Sequence, residues 1–244
     1  MSYANGPRIV TDGLVLYLDA GNSKSYPGTG TAWNDLSGNG NNGALTNGPT
    51  FSSINKGAIV TDGVDDYINI TENANMRPST LTAELTFRIN SHTNTSAGGA
   101  PTTAQYLLFR QNTRTGNFSG YLLGYDEAKS NCGIYVDTSA GTPYSALSST
   151  GTIQLGNNYI VTSVFDNTVM SIYINGFFAA SGAKASGISY NANNLLKIGR
   201  TAPSGTTWDA SSNASFYSLR VYNRVLSSSE ILQNYNATKG RFGL

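Results

Sequence analysis

Ionisable side chains are scarce. Asp, Glu, Lys and Arg make up 12% of the 244 residues and nearly cancel, leaving a net charge of +1. So sparse a charge carries no field to steer the chain toward nucleic acid or an acidic membrane. Arg200, Arg220, Arg224, Lys239 and Arg241 are scattered and not interleaved with aromatics, so no single-strand binding platform is written either. Cysteine occurs once, at Cys132, which excludes an intrachain disulfide, and its setting NCGIYVD predicts a buried strand thiol. No apolar run approaches the ~18 residues of a membrane span. The opening MSYANGPRIV lacks the basic and apolar sections of a secretory leader. The expectation is synthesis in a cytoplasm without use of the general secretory route. On that reading the Asn-X-Ser/Thr triplets at Asn69, Asn94, Asn117, Asn213 and Asn236 carry no function.

Groups suited to acid–base work are few as well. Glutamate stands only at Glu72, Glu84, Glu127 and Glu230. A retaining glycosidase needs two carboxyl groups about 5 Å apart, and the neighbours Asp126 and Glu127 point to opposite faces of an extended chain. His92, the one histidine, lies in a stretch rich in Gly, Ser and Thr, so a Ser-His-Asp triad would rest on it alone. The expectation is a protein that is not an enzyme.

What the sequence does contain is strands. Alternating apolar patterns predict them at 14–18, 58–60, 67–70, 81–89, 106–110, 121–125, 133–137, 159–165, 170–174, 177–180, 195–198 and 216–222. Asn175-Gly176 favours the positive φ of a tight hairpin, and Asp166-Asn167-Thr168 marks another reversal. No fixed-period repeat is present, which excludes a solenoid or propeller. Two long polar loops, 21–32 and 91–104, fit a rim that makes contacts. One helix is specified with care near the end. Ser227 and Glu230 stand at capping-box spacing, Leu226 and Ile231 form a hydrophobic staple, and Gly240 supplies a stop.

Four segments in this order, GLVLYLDAGNS with WNDLSGNGNNGAL, GAIVTDGVDDYINI, FDNTVMSIYINGFFAASG and RVYNRVLSSSEI, resemble laminin-G-like domains of the concanavalin A-like lectin/glucanase superfamily. The resemblance implies an all-β jelly-roll sandwich of two antiparallel sheets with one short C-terminal helix. It spans 9–239, with an extended arm at 1–8 and a tail at 240–244. The enzymatic branch of that superfamily carries an E-x-D-x-E strand, which this sequence lacks. Relatives often hold calcium at a rim, and the resemblance implies such a site drawn from Asp19, Asp35, Asp65 and Asp66. Hard oxygen donors in loops suit that ion. The competing reading is structural, with Asp62-Gly63 an ordinary turn and Asp35 or Asn39 bonding local backbone. Trp208, beside Asp209 and Asn213, is the expected sugar-stacking residue; Trp33 is expected to anchor its loop.

A chain of this plan closing on NYNATKGRFGL is similar to stand-alone virion proteins of tailed phages, marine ones in particular. The resemblance implies a virion surface protein of head or tail, made in the host cytoplasm. Its partners would be other virion proteins, cell-surface glycans and further copies of itself. The alternative is a carbohydrate-binding lectin module outside any virion.

Overall fold

The structure is a computed structural model and describes residues 7–92, 96–97, 103–111, 120–136, 144–183, 187–188, 190, 196–201 and 209–244. Among the described residues eighteen strands follow in chain order. They are β1 (Leu14–Asp19), β2 (Ala32–Trp33), β3 (Gly43–Thr46), β4 (Thr50–Ser52), β5 (Ala58–Asp62) and β6 (Tyr67–Ile70). Next come β7 (Leu81–Ile89), β8 (Ser96–Ala97), β9 (Ala104–Gln111), β10 (Gly120–Asp126), β11 (Asn131–Val136) and β12 (Tyr144–Leu147). The last six are β13 (Asn158–Phe165), β14 (Val169–Ile174), β15 (Phe177–Ala183), β16 (Leu196–Ile198), β17 (Asp209–Ala210) and β18 (Asn213–Tyr222).

Two eight-stranded antiparallel sheets hold nearly all of them. The first runs β15-β14-β13-β7-β18-β5-β4, with β1 also on β18; the second runs β12-β11-β10-β9-β16-β6-β3-β2. Their inner faces form one apolar core, in which Leu16, Leu85, Phe87 and Leu219 of the first sheet meet Ile68, Leu107, Tyr121 and Ile134 of the second. Strand alternation explains this layer, since every second residue must face the opposite sheet. Trp33 is fully buried there and anchors its loop. Cys132 is buried on β11, and burial pushes its thiol well above the ordinary range.

The first sheet is covered on its outer face too. Helix α1 (Ser228–Thr238) lies there, capped by Ser227 and Glu230 in a reciprocal box. Leu226 and Ile231 join Tyr222 and Val164 in one apolar cluster, and Tyr235 joins Ile160, Tyr217 and Phe242 in another. Between the clusters runs a polar layer. Glu84 on β7 and Arg220 on β18 face each other in register, fully buried, with Arg220 Nη2 2.7 Å from a Glu84 oxygen. Thr162 adds a 3.1 Å hydrogen bond to Glu84.

Gly240 does not stop the helix alone, because the chain continues into a 3-10 turn, Lys239–Arg241. Residues 240–244, expected to lie outside the domain, pack onto it. The Arg241 guanidinium donates to Asn55 O at 2.6 Å, Gly57 O at 2.9 Å and Asp19 at 2.5 Å. Phe242 is buried against Tyr217. Of the N-terminal arm, residues 1–6 lie outside the described residues. Beyond them Arg8 O accepts from Gln233, and Val10 N donates to Asn234 at 2.8 Å.

Candidate functional site

The turn between β5 and β6 reads Asp62-Gly63-Val64-Asp65-Asp66, and its three carboxylates converge. One oxygen from each of Asp62, Asp65 and Asp66 lies within 4.8 Å of the others. Gly63, at φ 82, lets the chain double back so tightly. Asp62 Oδ1 caps the turn by accepting from Val64 N at 2.8 Å, and Asp66 Oδ2 accepts from Asp62 N at 3.2 Å. Asp66 is nearly buried, and desolvation, followed by the Asp62 charge, pushes its carboxyl up to about 6. The carboxylates are thus held close together, and the charges of Asp62 and Asp65 both oppose ionisation of Asp66.

That frame is built by four side chains that donate to the turn's carbonyls. Asn47 bonds Asp65 O at 2.9 Å, Arg200 Nη1 bonds Asp65 O at 2.8 Å, and Asn213 bonds Asp62 O at 2.9 Å. Ser211 donates to Gly63 O. Arg200 is itself gripped by Asp209 in a two-pronged ion pair of 2.8 and 2.6 Å. Such forked pairs fix orientation as well as charge. Beside them stands Tyr67, with Lys197 Nζ 5.5 Å and the Arg200 guanidinium 5.9 Å from its ring centre. Burial, then the Arg200 charge, lowers the affinity of Lys197 for its proton.

Two stretches far apart in sequence, TDGVDDY and DASSN, therefore meet at one rim. Asp65, Asp66, Asp209 and Asn213 all lie there, although Asp209 and Asn213 act through Arg200 and a carbonyl to hold the turn. Trp208 lies outside the described residues. The other two expected metal ligands do not join the cluster. Asp19 is neutralised by Arg241 and also accepts from Gly21 N and Tyr17 OH. Asp35 spends its oxygens on its own loop and on β1, accepting from Ser37 N, Ser37 Oγ and Asn41 N and from Tyr17 N. That is the local-backbone alternative, realised at Asp35.

Asp62, Arg200, Lys197 and Tyr67 were not marked as site residues by sequence. Asp62 shares the TDGVDDY motif, where its pairing with Gly63 reads as an ordinary turn. Lys197 and Arg200 carry no local signal, since Lys197 is placed by the pairing of β16 with β6 and Arg200 by a bridge to Ser211.

The remaining ionisable candidates are occupied structurally. Glu72 is buried between Arg110, whose Nη2 lies 2.7 Å away, and Arg77 at 3.0 Å. Glu84 pairs with Arg220, and Glu230 with Arg224 and the helix cap. His92, for which the sequence offered no partner, stands 3.0 Å from Tyr125 OH.

A model of the concanavalin A-like lectin/glucanases superfamily matches residues 62–232, and the chain belongs to that laminin-G-type family. No curated protein matches it in sequence. Among solved structures, the binding domain of Paraclostridial Mosquitocidal Protein 1 is similar with a TM-score of 0.68 at 16% identity, over 93% of this chain and 52% of that one. The receptor-binding domain of botulinum neurotoxin C/D mosaic serotype gives 0.67 at 14% identity, over 93% and 51%. Trypanosoma rangeli sialidase in complex with sialic acid gives 0.64 at 18% identity, over 98% and 36%. This chain spans about a third to a half of those proteins, and at such identities the likeness is one of fold. The fold is lectin-like, and function must be argued from the site.

Proposed function

We propose that this chain is a non-enzymatic glycan-binding module whose contact surface is the rim around the β5–β6 turn. The observation that carries this reading is the convergence of Asp62, Asp65 and Asp66, framed by Arg200, Asp209 and Asn213 and flanked by Tyr67. One oxygen from each of Asp62, Asp65 and Asp66 makes a hard, anionic donor set that suits Ca²⁺. When bound there, the ion would neutralise the crowded carboxylates and offer its open positions to sugar hydroxyls. Tyr67 supplies a ring face and the Arg200–Asp209 pair holds the turn in place.

The test is titration calorimetry on glycan pools with calcium and with chelator. Binding that needs calcium and is lost in Asp65→Asn supports the reading. Binding that ignores both removes the metal from it, and no binding at all to any pool removes the glycan.

The proposal extends to the setting, a virion surface, head or tail, assembled in the host cytoplasm. Its support is the resemblance of this laminin-G-like plan, with the segment NYNATKGRFGL, to virion proteins of tailed phages. Multivalent display would also suit a shallow site. A single sugar contact gives a Kd near millimolar, and many tethered copies raise avidity by about 10²–10⁴. Mass spectrometry of purified particles that lacks this chain would leave the lectin reading outside any virion.

A further inference from the structure

A recess lies where the closing residues meet the start of β13 and the turn between β14 and β15. Its volume is about 350 Å³, and its lining is Gly156, Asn157, Asn158, Tyr159, Asn175 and residues 242–244. No Asp, Glu, Lys, Arg or His side chain is among them, so no side chain there offers a counter-charge to an ionic ligand. Amides dominate instead. Asn158 is committed, donating to Phe242 O at 3.0 Å and accepting from Tyr217 OH at 2.9 Å. Asn175 accepts from Ile160 N at 3.0 Å through its oxygen, which leaves its amide nitrogen for another acceptor. Asn157 is exposed in the loop before β13.

Exposed rings follow Asn175 on the same hairpin. Asn175 opens the turn to Phe177, which is 64% exposed and stands 6.1 Å from the Tyr235 ring. Tyr235 packs in one cluster with Phe242, which lines the recess. Phe178, 60% exposed, follows on the same hairpin. Large exposed rings at a turn forgo burial that a sheet edge could give them.

We infer that this recess is a second saccharide site, taking a neutral sugar whose hydroxyls meet Asn157 and Asn175 while its apolar face lies on Phe177. The chemistry selects that class. An amide both donates and accepts, as a sugar hydroxyl does, and a ring face meets the axial hydrogens of a pyranose. A neutral peptide shares the amide pairing but not the demand for a flat apolar face.

Nuclear magnetic resonance of the full chain tests this inference. The side-chain amide signals of Asn157, Asn175 and Asn213 are followed while neutral hexaoses of gluco, manno and galacto configuration are added, with and without chelator. A capped neutral hexapeptide serves as the competing probe. The inference expects at least one hexaose to shift Asn157 and Asn175 regardless of chelator. Phe177→Ala and Asn157→Ala, both at exposed positions, should weaken that shift about tenfold with melting unchanged. It is overturned if no hexaose moves those two signals, if both variants titrate like the parent, or if the peptide alone moves them. Because Asn213 reports the rim, failure of the second site and failure of the rim proposal are read separately.

Discussion

Asp66 is the residue whose chemistry is most exposed to test. Its carboxyl is raised to about 6 from an ordinary 3.8, chiefly by burial and then by Asp62. A raised carboxyl favours the protonated native form, so without a cation stability should fall as pH rises from about 4 to 6. Asp66→Asn removes the charge and retains an oxygen to accept from Asp62 N. In chelator at pH 7 it should raise stability by about 1 kcal/mol, read as a higher melting temperature. In calcium the same change should abolish any metal-induced shift. A variant that melts lower in chelator would refute the account of crowded charges. The residue scale also shows the limit of sequence reading. Asp19 and Asp66 look alike as strand-end aspartates, but Asp19 meets Arg241 222 residues away, a partner that local pattern cannot announce.

At the scale of elements, legibility followed apolar alternation. The central strands β7, β13 and β18 and the helix cap were readable because two periods and a capping box specify them locally. The strands β2, β3, β4 and β12 were not. They are two to four residues long and lie at or beside sheet margins, where pairing with a neighbour creates the strand. Also illegible was the ion pair joining β7 to β18. Arg220→Ala leaves Glu84 buried without its countercharge and should cost about 3–5 kcal/mol, lowering the urea midpoint at unchanged slope. The double change Glu84→Leu with Arg220→Met should cost less than Arg220→Ala. If it costs the full sum of the singles, the pair is a net stabiliser and the argument fails.

The helix cap offers a second element-scale test. Hydrogen bonds from Arg224 and Ser227 hold the Glu230 carboxyl down to about 2. A depressed carboxyl contributes stability that is present above about 4.5 and lost as pH falls toward 2. Glu230→Gln should therefore cost about 1 kcal/mol at neutral pH, discounted for solvent screening, and almost nothing at pH 2. Equal losses at both pH values would show that packing, not the charge, is what the change removes.

At the scale of the molecule, the closing residues act as a clamp. Arg241 ties β1 to the segment before β5 through Asp19, Asn55 and Gly57, and Phe242 seals Tyr217. Arg241→Ala should cost about 2–3 kcal/mol, because it strips three charge-assisted bonds at once. Hydrogen exchange should quicken first at residues 55–57, and uniform exchange across the sheet would argue against a local clamp.

The opening segment meets the closing one on that same side, with Arg8 and Val10 bonded to Gln233 and Asn234 and Leu14 paired with Tyr222. Mechanically, this makes the two ends of the described chain a zipper pull. Tension applied across them would strip the Arg241 clamp and α1 and then peel β1 from β18 one bond at a time, whereas loading a strand pair from opposite ends shears all its bonds together. A tether at one end alone would leave that zipper unloaded; a load strung between both ends would open it once the clamp gives.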